Sequence, residues 1–316
     1  MKLVTFRTSD RATHAGVVRG EHIITLDYPT LLDLLRDPEG LARLRNALTG
    51  ADKGDTPASP GTKPAFAAPG GREYALDEVA LLSPIPEPPT LRDFYAFEQH
   101  VKAARAKRGL GMIPEWYEIP VFYFSNTSEI YGHEQPVPYP VGSNELDFEL
   151  EIACVIGREG KNIPVEEAAN YIAGYTIMND WSARDFWRQE VKLNLGPAKG
   201  KDFATSLGPW LVTPDELTSH RTGSGASERY DMTMLARVNG KQISRGNFNQ
   251  IYYSFPQLIA WASRNARVRT GDVIGSGTVG TGCLLELGTE VHPWFQRGDI
   301  IELEIDGIGV LRNTIV

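Results

Sequence analysis

The sequence predicts an α+β, β-rich fold, and three observations carry that prediction. Segments with the alternation or short apolar runs of strands outnumber segments with helical spacing. The two kinds do not alternate as βαβ units would, and no repeat of fixed period is visible. Asn239-Gly240, between patterned residues 231–238 and 241–245, is the strongest turn signal in the chain and marks a hairpin.

In chain order, residues 2–6, 13–18 and 22–26 are predicted strands, with Arg19-Gly20-Glu21 as a turn. Thr30 is placed to cap a helix whose apolar face is Leu31, Leu32, Leu34 and Leu35. Leu41, Leu44 and Leu48 recur at helical spacing over 40–48. Residues 51–72 are rich in Gly, Pro and Ala and read as a loop or linker. Pro84, Pro86, Pro88 and Pro89 cannot continue a helix or a central strand. The boundary between a small N-terminal domain (1–88) and a larger domain (89–316) is placed there. In the larger domain the pattern predicts helices over 97–108, 182–192 and 256–263. Strands are predicted over 120–125, 148–156, 172–178, 207–212, 273–275, 284–287, 289–291 and 300–305.

Composition excludes several classes of function. A net charge of −8 over 316 residues argues against a nucleic-acid surface. No apolar run is long enough for a transmembrane helix, and the first residues lack the apolar core of a signal peptide. Cys154 and Cys283 sit in apolar settings and read as buried free thiols, which suits a cytoplasmic protein. A small-molecule partner, rather than nucleic acid or membrane, is expected.

The chemistry concentrates between Glu145 and Thr205. Residues two apart on a strand share a face, so Glu149 and Glu151 point the same way, with Asp147 two further back. Taken alone, that pattern is an amphipathic strand with a solvated acidic face. Asp180 ends the following hydrophobic strand, and Lys201 follows in a glycine-bearing loop. No His-x-His or Cys-x-x-Cys accompanies these acids, and an all-oxygen donor set suits a hard cation such as magnesium, calcium or manganese. The cations of 97–108 (Lys102, Arg105, Lys107 and Arg108) read as a solvated basic face. His14, His22 and His220 read as surface residues and His292 as structural, with His133 a weak candidate for the neighbourhood of the site.

Asp147-Phe148-Glu149-Leu150-Glu151, Met178-Asn179-Asp180-Trp181-Ser182-Ala183-Arg184-Asp185 and Gly200-Lys201-Asp202-Phe203, joined in this order, resemble the hydrolase branch of the fumarylacetoacetate hydrolase superfamily. The resemblance covers roughly residues 90–310. It implies a mixed β-sandwich or roll of the fumarylacetoacetase C-terminal type, beside a small N-terminal β/α domain, in a protein that is usually a homodimer. It also implies site residues. Asp93, in Asp93-Phe94-Tyr95, joins Glu149, Glu151 and Asp180 as metal ligands, for Mg2+ or Ca2+ with Mn2+ as a further candidate. His100 is the implied general base and Glu286 the residue that orients it. Lys201 and Arg184 are implied to meet negative charge developing in the reaction. Tyr95, Tyr123 and Thr278 match substrate contacts. Trp187 and Val191 stand where the family carries a glutamine and a tyrosine in the substrate pocket, so the pocket departs from the family pattern there.

The implied reaction is metal-dependent hydrolysis of a carbon–carbon bond in a β-diketo acid, fumarylacetoacetate or a related acylpyruvate, in the catabolism of tyrosine or other aromatic compounds. The same metal face serves oxaloacetate decarboxylases and 2-oxo acid hydratases or isomerases in the superfamily. His100 and Glu286 favour hydrolysis over decarboxylation, because only hydrolysis needs an activated water. A non-catalytic calcium-binding β protein would need neither residue.

Overall fold

A computed structural model describes residues 1–49, 72–194 and 196–316. The Gly/Pro/Ala-rich stretch read as a linker lies, apart from Arg72, outside the described residues. The principal strands are β1 (Lys2–Arg7), β2 (Thr13–Arg19), β3 (His22–Thr25), β4 (Glu73–Ala75), β5 (Leu91–Phe94), β6 (Phe122–Ser125) and β7 (Leu150–Ile156). They continue with β8 (Ile172–Asp180), β9 (Thr205–Val212), β10 (Thr233–Val238), β11 (Lys241–Asn247), β12 (Val273–Gly275), β13 (Ile300–Ile305) and β14 (Gly309–Thr314). The helices used below are α1 (Leu31–Arg36), α2 (Gly40–Thr49), α3 (Glu98–Ala106), α4 (Arg184–Glu190), α5 (Phe255–Ala262) and α6 (Leu284–Leu287).

The architecture is strand-rich α+β, as the sequence predicts. A twelve-stranded sheet runs β4-β3-β2-β1-β9-β8-β7-β12-β5-β6, with two short strands off this path. The N-terminal strands therefore continue the sheet that carries the site residues, through antiparallel pairing of β1 with β9. A second sheet, β11-β10-β13-β14, packs on one face. Every residue of β7 is buried, because both faces of the large sheet are covered. On one side Ile152, Cys154 and Ile156 join Met234, Ala236, Ile301 and Leu303 of the second sheet. On the other, Ala153 and Val155 pack with Leu3 and with Leu31 and Leu34 of α1. Truncating a buried residue such as Ile152 to alanine would cost about 2–5 kcal/mol. β10 instead alternates buried and half-buried positions, since only one of its faces meets this core.

Local chemistry explains the elements that match expectation. Thr30 caps α1 by accepting from the Asp33 amide, and Asp33 returns the bond to the Thr30 amide. Val238 pairs directly with Lys241, and Asn239 and Gly240 both have positive φ, which a two-residue primed turn requires.

Three predicted strands are corrected. The strand predicted over 148–156 starts two residues later: Leu146–Asp147 pairs with Ser182–Ala183, strand pairing is interrupted at Phe148 and Glu149, and β7 runs unbroken from Leu150. The Asp147 carboxylate is the cause, because it accepts from the Phe148 amide and removes that donor from a ladder. Residues 284–287 form α6, not a strand. Asp147 caps this helix from a distance, accepting from the Leu284 and Leu285 amides at 2.7 and 3.0 Å. Residues 289–291 form a turn, closed by the Val291 amide donating to the Gly288 carbonyl.

Candidate functional site

Four carboxylates converge where the central strands end or break. Asp93 lies on β5, Glu151 on β7, Asp180 at the end of β8, and Glu149 in the break before β7. One oxygen from each lies within 4.8 Å of the others, and all four residues are buried. The acidic face is thus interior, in contrast to the solvated face its alternation suggests. Two glycines let the backbone come this close. A Cβ on Gly275 would stand 2.5 Å from Asp93 Oδ1. Gly277 has φ +80 and would place a Cβ 2.4 Å from the Phe94 carbonyl. The Gly277 amide then donates to Asp93 Oδ1 at 3.2 Å and to Glu151 Oε2 at 3.0 Å.

Two cations are buried with the acids. Lys201 Nζ donates to Glu149 Oε2 at 2.5 Å and to Asp180 Oδ2 at 2.6 Å. Arg184, at the start of α4, donates to Glu149 Oε1 at 2.8 Å and to Asp147 Oδ2 at 2.7 Å. Burial alone would raise the Glu149 pKa, but Lys201 and Arg184 outweigh it and hold this group ionised far below the usual carboxylate range. Among the described residues no cation is bonded to Glu151 or Asp93. Burial, then the neighbouring carboxylates, pushes both well above the ordinary value. Asp180 is also raised, because burial outweighs the nearby Lys201. Lys201 itself is held protonated: burial disfavours its charge, and Asp180 and Glu149 more than restore it.

The donor set fits a hard divalent cation. Four carboxylates face one lysine and one arginine, and the arginine is shared with a fifth acid, Asp147. Asp180 Oδ1 is buried without a hydrogen-bond partner among the described residues. A cation would take that oxygen and offset both the burial and the carboxylate repulsion that raise Asp93 and Glu151.

Across the cavity, His100 on α3 and Glu286 on α6 form a direct, buried Nδ1–carboxylate hydrogen bond. The other Glu286 oxygen accepts from the Thr281 amide at 3.0 Å, which fixes the carboxylate. Tyr95 stands edge-on to the imidazole, with ring centroids 5.4 Å apart. Burial, together with Glu149, pushes the Tyr95 phenol far above its ordinary pKa. Tyr123 donates to Asp180 Oδ2, and Thr278 Oγ1 lies 3.4 Å from Glu151 Oε1.

A cavity of about 310 Å³ joins the two groups. Its lining includes Asp93, Tyr95, His100, Tyr123, Glu149, Glu151, Arg184, Trp187, Lys201 and Thr278. Of the twelve residues singled out in the sequence, Asp180 and Glu286 sit behind this wall, bonded to lining residues. Trp187 lines the cavity and Val191 does not. His133 is elsewhere, accepting from the Arg312 amide. Arg108 is exposed, as a solvated basic face requires, and it also lines the cavity, with its guanidinium 5.7 Å from the Trp187 ring centroid. The signal for it is spacing: His100 and Ala104 share one side of α3, and Arg108, four further on in the turn that ends the helix, reaches the same cavity. Asp147 was grouped with the ligand face, but its carboxylate is spent on Arg184 and on the start of α6.

Residues 90–316 match the family model described as fumarylacetoacetate (FAA) hydrolase C-terminal. Oxaloacetate tautomerase fahd2, mitochondrial, of Xenopus laevis is 36% identical over 200 residues, covering 62% of this chain and 58% of that protein. A fumarylacetoacetase of Arabidopsis thaliana is 34% identical over 241 residues, covering 62% and 57%. The matches thus span less than two thirds of these relatives' lengths. Among solved structures, a maleylpyruvate hydrolase of Sphingobium sp. SYK-6, in complex with manganese(II) ion and pyruvate, superposes with a TM-score of 0.69 at 22% identity. That likeness covers 100% of this chain and 99% of the other, and is one of fold. Among the described residues no helix is long and apolar enough to cross a membrane.

Proposed function

The chain belongs to the fumarylacetoacetate hydrolase family, and we propose that it hydrolyses a carbon–carbon bond in a β-diketo acid of the fumarylacetoacetate or acylpyruvate type. The observation that carries this reading is that His100, backed by Glu286, lines the same cavity as Asp93, Glu149 and Glu151 of the four-carboxylate cluster. Asp93, Glu149, Glu151 and Asp180 would hold Mg2+, Ca2+ or Mn2+. When bound, such an ion withdraws electron density from a carbonyl of the chelating diketo acid.

The chain's own residues supply the rest. His100 has its Nδ1 fixed on Glu286, which leaves Nε2 to take a proton from water. Glu286 stabilises the imidazolium that forms, as the acid of a catalytic triad does. A lysine ammonium has three donors, and Lys201 uses two on Glu149 and Asp180. The third, with Arg184 beside it, meets the negative charge that develops on the substrate, a contribution typically worth about 3 kcal/mol. Tyr95, Tyr123, Thr278 and Trp187 shape the cavity around the acyl arm.

Keto–enol tautomerisation of oxaloacetate is the second reading, favoured by the identity to oxaloacetate tautomerases of Xenopus laevis and Homo sapiens. The same dyad would then move a proton between carbon and solvent. One assay separates the two. The protein is incubated with Mg2+ and either fumarylacetoacetate, an acylpyruvate or enol-oxaloacetate, and the enol absorbance and the products are followed. Hydrolysis gives two acids from one. Loss of enol absorbance on oxaloacetate alone, with no new acid from any diketo acid, would replace the first reading with the second.

A further inference from the structure

Cys283 is the titratable group nearest the dyad that the proposed reaction does not use. It immediately precedes α6, so it stands three residues before Glu286 on the same side of that short helix. Its sulfur is fully buried and lies 3.9 Å from Glu286 Oε1, the oxygen bonded to His100. One ligand atom from each of His100, Cys283 and Glu286 lies within 4.8 Å of the others. Unlike the neighbouring cluster, this trio offers nitrogen, sulfur and oxygen.

We infer that His100, Cys283 and Glu286 form a second metal site, selective for a thiophilic divalent ion such as Zn2+, whose occupancy shuts the enzyme down. The two sets of donors sort metals by softness. Four carboxylates suit Mg2+, Ca2+ or Mn2+, whereas imidazole, thiolate and one carboxylate suit zinc. With metal–ligand distances of about 2.0–2.3 Å in a tetrahedron, ligand atoms stand roughly 3.5 Å apart. The Cys283 sulfur, 3.9 Å from Glu286 Oε1, is therefore already near that spacing, and the directly bonded His100 and Glu286 must part by only about an ångström to admit an ion. The route is present, since His100 lines the cavity. On binding, the thiol releases its proton to solvent and the sulfur takes the metal. The ion also replaces the hydrogen bond between His100 and Glu286, which removes the group that would accept the water proton. Only this kinetic consequence rests on the function proposed above.

The test uses the full chain with Mg2+ saturating. Added Co2+ should produce the near-ultraviolet thiolate-to-cobalt charge-transfer band, and Cys283→Ser should abolish it. In parallel, Zn2+ should inhibit diketo-acid turnover. Cys283→Ser should raise the inhibitory concentration by at least about tenfold, since even a supporting ligand contact is worth that much in metal affinity. Absence of the band in the wild-type protein, or unchanged zinc sensitivity in both Cys283→Ser and Cys283→Ala, would overturn the proposal. The spectrum reports sulfur ligation whatever the substrate is, so its failure is distinct from failure of the proposed hydrolysis.

Discussion

The carboxylate cluster hangs on the central sheet, whereas His100 and Glu286 hang on two short helices at its edge. Asp93, Glu151 and Asp180 come from β5, β7 and β8, and β12 fills the gap between β5 and β7. Backbone ladders on both sides set their spacing before any side chain is considered. The dyad has no such frame. α3 and α6 meet through side chains, and α6 exists because Asp147, a residue of the other half, caps it. The metal half is thus rigid by topology, and the proton-transfer half by a chain of charged contacts that begins in the first half. Damage should accordingly spread from the cluster to the dyad, but not in the reverse direction.

The largest expected effect breaks the cluster. Lys201→Met removes the cation bonded to both Glu149 and Asp180 and leaves Asp180 buried among acids. Removing one partner of a buried ion pair costs about 3–5 kcal/mol. Urea denaturation in the presence of a chelator should show that loss. A change below 1 kcal/mol would mean the carboxylates have neutralised themselves by protonation. His100→Ala attacks the other half and should do the opposite. Turnover should fall by about 10²–10⁴, the usual worth of a positioned base. Stability gained on adding Mg2+ should be unchanged. Equal loss of turnover and of metal-dependent stability would make His100 part of the metal centre.

Metal addition sharpens the same contrast at a smaller scale. A ligand at a hundred times its Kd stabilises the folded state by about 2.7 kcal/mol. Thermal melts with Mn2+ or Mg2+, against a chelator, should rise in the wild-type protein and in Glu286→Gln. They should not rise in Glu151→Gln, which loses one of the four converging carboxylates. A Glu286→Gln protein that loses the metal response would show that the two halves are not separable.

The same division decided what the sequence disclosed. Glu151 and Asp180 stand on strongly patterned strands, and Glu149 lies two before Glu151, so a shared direction is readable there, whereas Asp93 comes from the resemblance alone. The burial of these acids is not readable, because alternation says which residues share a face and not whether that face is covered. α6 reads as a strand because a four-residue segment, Leu284-Leu285-Glu286-Leu287, has no period to measure, and the carboxylate that caps it lies 137 residues from Leu284. Glu286 was placed by resemblance alone. Arg108 is less legible for another reason: its neighbours are exposed cations and so is it, and only the tertiary position of α3 brings the turn after this helix beside the cavity. The break at Phe148 and Glu149 likewise needs Asp147 to be seen bonding to Phe148, which no propensity records.

The smallest effect tests the rim that ties the halves together. Asp185, in the first turn of α4, accepts from Ser143 Oγ at 2.7 Å and from the Asn144 amide at 2.8 Å. These bonds hold the 143–145 loop against α4, next to the Arg184 amide, which donates to the Glu145 carbonyl. Partial burial opposes ionisation of Asp185, but its hydrogen bonds with Ser143, Asn144 and Phe186 outweigh it and lower the pKa below 3.8. A depressed carboxylate contributes stability that is present above its unfolded pKa and is lost as pH falls through the folded value. Asp185→Asn should therefore cost about 1 kcal/mol at neutral pH, the scale of a lost cap, and the gap to wild type should close as pH falls below about 4. Denaturation midpoints of the two proteins across that range measure it. A gap that persists in acid would assign the loss to altered packing, and would mean that this rim, like the central sheet, is held by shape rather than by charge.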